Sequence, residues 1–120
     1  MNQKIKIGKF GQQLAGQFLQ NRNYQILAEN YYSRVGEIDI IAQKDEQIVF
    51  IEVKTRTTEN FGTPEEAVDD KKRNKMYDTA LKYLSENKVD HDNFRLDMIA
   101  IIIDQDNMKA QIRHHQNILE

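Results

Sequence analysis

This sequence of 120 residues predicts an α/β domain with a mixed sheet between helices. Three observations carry that reading. Apolar residues recur at helical spacing near the N-terminus. Two short apolar runs, 38–42 and 48–53, have strand length and are separated by polar residues with turn character. Residues 96–103 (LDMIAIII) form the nearly continuous apolar run expected of a strand covered on both faces.

Taken in order, residues 8–22 carry Phe10, Leu14, Ala15, Phe18 and Leu19 at the spacing of an amphipathic helix. Gly11 and Gly16 each weaken that helix by about 1 kcal/mol relative to Ala, and are tolerated where a backbone or ligand approaches closely. Residues 24–32 read as a strand, followed by strands over 36–43 and 47–55 joined through Lys44-Asp45-Glu46-Gln47. A loop over 57–62 leads to Thr63-Pro64-Glu65-Glu66, where Thr63 can cap, Pro64 suits the first helical position and Glu66 completes a capping box. Asp69 can cap a longer helix running to about Asn87, with Tyr77, Ala80, Leu81 and Leu84 as its buried stripe. Whether these are one kinked helix or two is left open. The apolar strand, turn chemistry at Asp104-Gln105-Asp106-Asn107 and a last strand over 108–115 complete the order α-β-β-β-α-β-β.

Composition narrows the function classes. With 39% hydrophobic and 30% charged residues the chain reads as an ordinary globular domain. It has no cysteine, which excludes disulfides, zinc-thiolate sites and thiol catalysis. No apolar run approaches the roughly 20 residues that span a bilayer, and the N-terminus lacks the apolar core of a signal peptide. A cytoplasmic protein without membrane contact is expected. The net charge of −2 hides an uneven distribution: Lys4, Lys6, Lys9, Arg22 and Arg34 precede residue 36 against Glu29 alone, and Lys71, Lys72, Arg73 and Lys75 form a second cluster. Such clusters either neutralise phosphates or form solvated helix faces.

The chemistry concentrates in GEIDIIAQKDEQIVFIEVKTR. Side chains alternate along a strand, so Glu37 and Asp39 share one face and Glu52 and Lys54 share another. If Asp45 and Glu46 are the two central turn residues, antiparallel pairing puts Asp39 opposite Glu52 and Glu37 opposite Lys54. Like charges directly across a ladder, roughly 5 Å apart at Cβ, are destabilising, and a divalent cation between them would explain their presence. Two carboxylates with oxygen ligands suit Mg²⁺ or Mn²⁺. Such an ion polarises a phosphoryl oxygen and activates water, while Lys54 can hold that water or neutralise charge on the phosphate. The alternative is structural, with Glu37–Lys54 a cross-strand ion pair and Asp39 and Glu52 solvent-facing. Glu37 reads as positional rather than metal-binding.

A carboxylate on one strand followed by E-x-K on the next resembles the PD-(D/E)XK phosphodiesterases, which have the restriction-endonuclease-like fold. More closely, the series G-x-x-L-A (Gly11 to Ala15), GEIDII (Gly36 to Ile41), VFIEVKTR (Val49 to Arg56), FGTPEEAV (Phe61 to Val68) and FRLD (Phe94 to Asp97) resembles the YraN family of uncharacterised bacterial proteins over nearly the whole chain. The resemblance implies a single endonuclease-like domain over residues 1–120. Its expected αβββαβ core, a mixed sheet flanked by helices, is similar to that of archaeal Holliday-junction resolvases. It also implies Asp39 and Glu52 as metal ligands, the Val53 carbonyl as a further ligand, Lys54 as the catalytic lysine and Mg²⁺ or Mn²⁺ as cofactor. One position departs from the family pattern, which usually has a Glu where this chain has Gln12. A neutral amide there binds a cation more weakly than an acid.

The remaining residues carry weaker expectations. Arg34, Lys71, Lys72 and Arg73 are candidates for contact with nucleic acid, and Lys72 matches a lysine the family tends to keep. Tyr31 and Tyr32 either stack on bases or pack on the sheet. Arg95 and Asp97, at strand spacing, read as partners of one another, and His114 and His115 as surface histidines. The functions in view are a metal-dependent nuclease acting on DNA, branched or damaged, and a non-catalytic nucleic-acid-binding module that retains the nuclease fold. A protein-interaction domain is a third. A homodimer is expected by analogy with nucleases that cut two strands symmetrically.

Overall fold

The computed structural model describes residues 2–89 and 92–119. Its elements are α1 (Gln3–Gln20), β1 (Gln25–Tyr32), β2 (Glu37–Lys44), β3 (Gln47–Arg56), a 3₁₀ turn (Glu65–Ala67), α2 (Asp70–Glu86), β4 (Phe94–Asp104) and β5 (Lys109–His115). The five strands form one mixed sheet in the order β1-β2-β3-β4-β5. Neighbours are antiparallel except β3 and β4, which run parallel and are joined through α2. The expected α/β class and αβββαβ order are therefore those of the structure. Among the described residues, no helix is long and apolar enough to cross a membrane.

Strand alternation divides the core into two layers. Ile41, Phe50, Leu96 and Met98 pack against Met76, Ala80 and Leu84 of α2. Ile40, Val49, Ile51, Ile99 and Ile101 pack against Ala15 and Leu19 of α1. Each of these large side chains, buried to near completion, contributes about 1.5–3 kcal/mol.

Both helices differ in detail from the expectation. α1 begins five residues earlier than predicted, at Gln3, because the Asn2 side chain accepts the Ile5 N–H at 2.9 Å and caps it. Its first two turns are almost wholly exposed, so they carry no apolar stripe to announce them. Gly11 is where α1 meets the sheet: a Cβ there would overlap the Thr55 side chain, which is the close approach the sequence called for. Gly16 has no such constraint, its nearest neighbour being Glu29 Oε1 at 3.9 Å. Thr63 does cap a helical turn, its Oγ1 accepting the Glu66 N–H at 3.3 Å, but that turn ends at Ala67. α2 then starts afresh with Asp69, which accepts the Lys72 N–H at 2.9 Å. The buried stripe of α2 is Met76, Thr79, Ala80 and Leu84, one residue round from the expected one. Tyr77 is left 38% exposed, its ring lying 6.0 Å from that of Phe94.

Candidate metal centre

The site begins at the β2–β3 turn. Asp45 takes a left-handed φ of +55°, and Gln43 Nε2 donates to its carbonyl oxygen at 3.3 Å. This fixes Asp45 and Glu46 as the two turn residues, with Lys44 paired to Gln47 and the ladder running to Ile40↔Ile51. The next step in that count brings Asp39 to Glu52, as the sequence predicts. There the ladder stops. The expectation that Asp39–Glu52 and Glu37–Lys54 are direct ladder pairs is corrected accordingly. β2 stays bound to β1 as far as Tyr32↔Glu37, and β3 to β4 as far as Arg56↔Ile102. The two inner strands therefore part like a fork, each held by its outer neighbour. Asp39 enters the fork, and its Oδ2 accepts the Val53 backbone N–H at 2.8 Å.

The electrostatics of the fork are those of crowded negative charge. Glu52 is 9% exposed; burial first, and then the Asp39 charge, push it up to about 7. Burial also moves Asp39 upward, against the opposing pull of the Val53 N–H and the Lys72 charge. The Asp39 charge also acts on Glu52, so the two carboxyls influence each other's protonation. Lys72, from the first turn of α2, places Nζ 3.2 Å from Glu52 Oε2. From α1, Gln12 donates its amide to the Asp39 backbone carbonyl at 3.4 Å. Beside the fork opens a cleft of about 710 Å³, its walls including Glu37, Asp39, Val53 and Lys54. Lys4 and Lys9 of α1 and Arg56 of β3 bring further positive charge to the same cleft. Lys54 makes no ion pair with any described residue.

These residues fit a hard divalent cation. Asp39 and Glu52 supply two oxygen ligands whose mutual repulsion a cation would relieve, and Mg²⁺ is commonly held by one or two carboxylates with the rest from water and phosphate. Among the described residues, no group of three or more acidic or histidine side chains is assembled for a metal. Any further protein ligand would come from the Val53 carbonyl or Gln12.

Residues 11–101 match the family described as "Uncharacterised protein family UPF0102". The chain belongs to that family. It is 46% identical over 98 residues to a UPF0102 protein of Sulfurihydrogenibium sp. (strain YO3AOP1), covering 82% of this chain and 85% of the relative. It is 44% identical over 112 residues to one from Alkaliphilus oremlandii (strain OhILAs), covering 93% and 96%. A third, from Carboxydothermus hydrogenoformans, is 40% identical over 120 residues and is covered to 99%. The YraN-like resemblance read from the motifs is thus the membership that the whole sequence shows.

In this UPF0102 chain the other predicted residues scatter. Glu37 is exposed on the cleft wall and forms no ion pair with Lys54 among the described residues. Arg34 is exposed in the β1–β2 turn, which Ser33 organises by accepting the Gly36 N–H at 3.3 Å. Lys71 is exposed, Lys72 turns inward, and Arg73 is engaged within the chain by the Val68 carbonyl at 2.8 Å and by Asp70. Tyr31 packs edge-on against Tyr83 and its hydroxyl bonds Glu86; burial and that carboxylate push it up to about 12. Tyr32 remains 74% exposed.

Two features escaped the sequence reading. Lys4, Lys9 and Arg56 reach the cleft because α1 starts early and Gly11 seats it on Thr55. His114 is not a surface histidine: its side chain is 8% exposed and its Nε2 lies 2.7 Å from Asp97 Oδ2. Asp97, fully buried, also receives Arg95 Nε at 2.8 Å and the Asn117 N–H at 3.0 Å. Burial would raise Asp97, but His114, Arg95 and Asn117 together outweigh it and hold it below the usual carboxylate range. The Arg95–Asp97 partnership was legible; its histidine arm was not. His115 meets Glu65 at 2.7 Å, and Arg113 joins Glu65 and Glu59 at 2.7 and 2.9 Å, tying the loop after β3 to β5.

Proposed function

We propose that this protein hydrolyses phosphodiester bonds in DNA with the help of Mg²⁺ or Mn²⁺. The observation that carries the reading is the fork itself. Two carboxylates with raised pKa values meet where the β2–β3 ladder ends, beside a cleft that holds Lys54 and three more cations. Perturbed acids in a cleft mark a functional site. Asp39, Glu52 and the Val53 carbonyl would hold the cation. When bound, it supplies Lewis-acid polarisation of the phosphate and a lowered pKa for water. Lys54, half-buried and unpaired among the described residues, orients the attacking water and offsets charge on the phosphate. Lys4, Lys9, Arg34, Arg56 and Lys71 contact the sugar–phosphate backbone. Phe61, 97% exposed in the loop after β3, offers a face for a nucleobase. A DNA substrate would suit a cytoplasmic protein, and a homodimer would present two such sites to two strands.

The test is cleavage of branched, nicked, single- and double-stranded DNA with Mg²⁺ or Mn²⁺. Asp39→Ala and Lys54→Ala should each abolish cleavage with the fold intact by circular dichroism. Absence of cutting on every substrate would count against catalysis.

Gln12 favours a second reading, a nucleic-acid-binding module without turnover. Its amide holds the Asp39 carbonyl where an acid would add charge to the site. Salt-sensitive DNA binding that persists in Lys54→Ala, without cleavage in any variant, is the result that selects it.

A further inference from the structure

We propose that Lys72 is a resident counter-ion of the carboxylate fork, displaced from Glu52 by a divalent cation and thereby delivered to the phosphate of the bound nucleic acid. This rests on the reading of Asp39 and Glu52 as a metal site. Lys72 differs from the other basic residues nearby. Lys71 points to solvent and Arg73 is engaged by Val68 and Asp70, whereas the Lys72 ammonium is 3.2 Å from Glu52 and its charge acts on Asp39 as well.

Its placement is built, not incidental. Asp69 caps α2 by accepting the Lys72 N–H at 2.9 Å, which fixes the residue's backbone over the fork. Its side chain is 36% exposed while that of Glu52 is 12% exposed, so the acid is fixed in the interior and the ammonium keeps a way out. A lysine head on a four-carbon stem can swing into solvent without moving its helix. Two buried carboxylates need positive charge; in the absence of metal, Lys72 supplies one unit of it. A dication supplies two and repels the ammonium at the same spot. Metal entry and Lys72 occupancy of Glu52 are therefore mutually exclusive, and the freed ammonium, already 36% exposed, becomes available to a phosphate held at the metal.

The consequences are a metal affinity held down by internal competition and a gain in affinity for nucleic acid that appears only with metal. The experiment titrates Mn²⁺ into the full chain by calorimetry, with electron paramagnetic resonance as a second readout. Wild type is compared with Lys72→Met, Lys72→Gln and, at an exposed lysine of the same helix with no part in the site, Lys82→Met. The inference expects both Lys72 variants to bind Mn²⁺ about 5- to 50-fold more tightly, and Lys82→Met, with the same loss of charge, to match wild type. Binding to a DNA duplex with Ca²⁺, by gel retardation, should strengthen on metal addition in wild type and much less so in the Lys72 variants. Lys72→Gln keeps a hydrogen-bonding head should Lys72→Met fail to fold. Mn²⁺ binding that is equal or weaker in the folded Lys72 variants overturns the inference while leaving the metal site in place. No Mn²⁺ binding to wild type or to any variant overturns the metal reading itself, and Lys72 with it.

Discussion

The Asp39 carboxylate accepts the backbone N–H of Val53 at 2.8 Å, Asp39 standing one residue and Val53 two residues beyond the last paired position of β2 and β3. A side chain thus takes the hydrogen bond that a continuing ladder would have made. Removing it has two separable effects. Asp39→Ala leaves a part-buried N–H without its partner and should cost about 1–3 kcal/mol in urea unfolding. Asp39→Asn retains an acceptor oxygen and relieves the repulsion with Glu52, so its stability should equal or exceed that of wild type. Both variants should lose Mn²⁺ binding in calorimetry.

Glu52 sets a pH dependence of stability. Its folded pKa, about 7, lies above an ordinary 4.5, so the folded state holds a proton that the unfolded chain has released. Stability therefore falls as pH rises from about 4.5 to 7. Glu52→Gln should stabilise the metal-free protein little at pH 4, rising to on the order of 1–3 kcal/mol at pH 8. Thermal melts across that range check it. A gain independent of pH would show that the buried acid is not protonated in the fold.

Gln12→Glu puts an acid beside Asp39. Ligand charge tunes affinity for hard cations, so Mn²⁺ binding should tighten by roughly tenfold, and any cleavage activity should rise with it. Without metal the added charge should lower the melting temperature. Tighter binding without cleavage would favour the non-catalytic reading.

Asp97 pairs with Ile51, next to Glu52 in register but alternating to the other face of the sheet, and it ties the start of β4 to His114 of β5 and to Asn117 while accepting Arg95 from its own strand. Asp97→Ala would leave the part-buried Arg95 without its carboxylate, though still held by Tyr24 and Gln47, and the Asn117 N–H without an acceptor, and should cost about 1–3 kcal/mol, measured by denaturant unfolding. If the variant folds, Mn²⁺ affinity should stay within twofold of wild type.

What the sequence disclosed follows from how local each feature is. The β2–β3 register was legible because a two-residue turn and an alternating pattern settle it within about ten positions. The fork was not, because it depends on β1 and β4 holding the outer edges while the inner pair separates. Asp39, Glu52 and Lys54 could be named from their spacing and motif. The inward turn of Lys72 could not, since three adjacent basic residues look alike until a helix cap fixes their directions. The α2 stripe was misplaced by one because Tyr77 and Met76 are both apolar enough for the core, and packing against Phe94 left tyrosine at the rim. His114 was missed because nothing local marks a pairing across 17 residues.

The overhang of α1 has a consequence for length scale. Gly11 is the first helix residue wholly enclosed by the protein, and before it the helix projects with Ile7 alone half-buried. At 1.5 Å per residue, Lys4 stands about 10 Å along the axis from that anchor. This is roughly three nucleotide steps along a duplex strand at about 3.4 Å each. If the protein binds nucleic acid as proposed, its footprint on a backbone should therefore be lopsided, extending some three phosphates past the fork on the α1 side. Shortening the overhang would trim the footprint from that side alone.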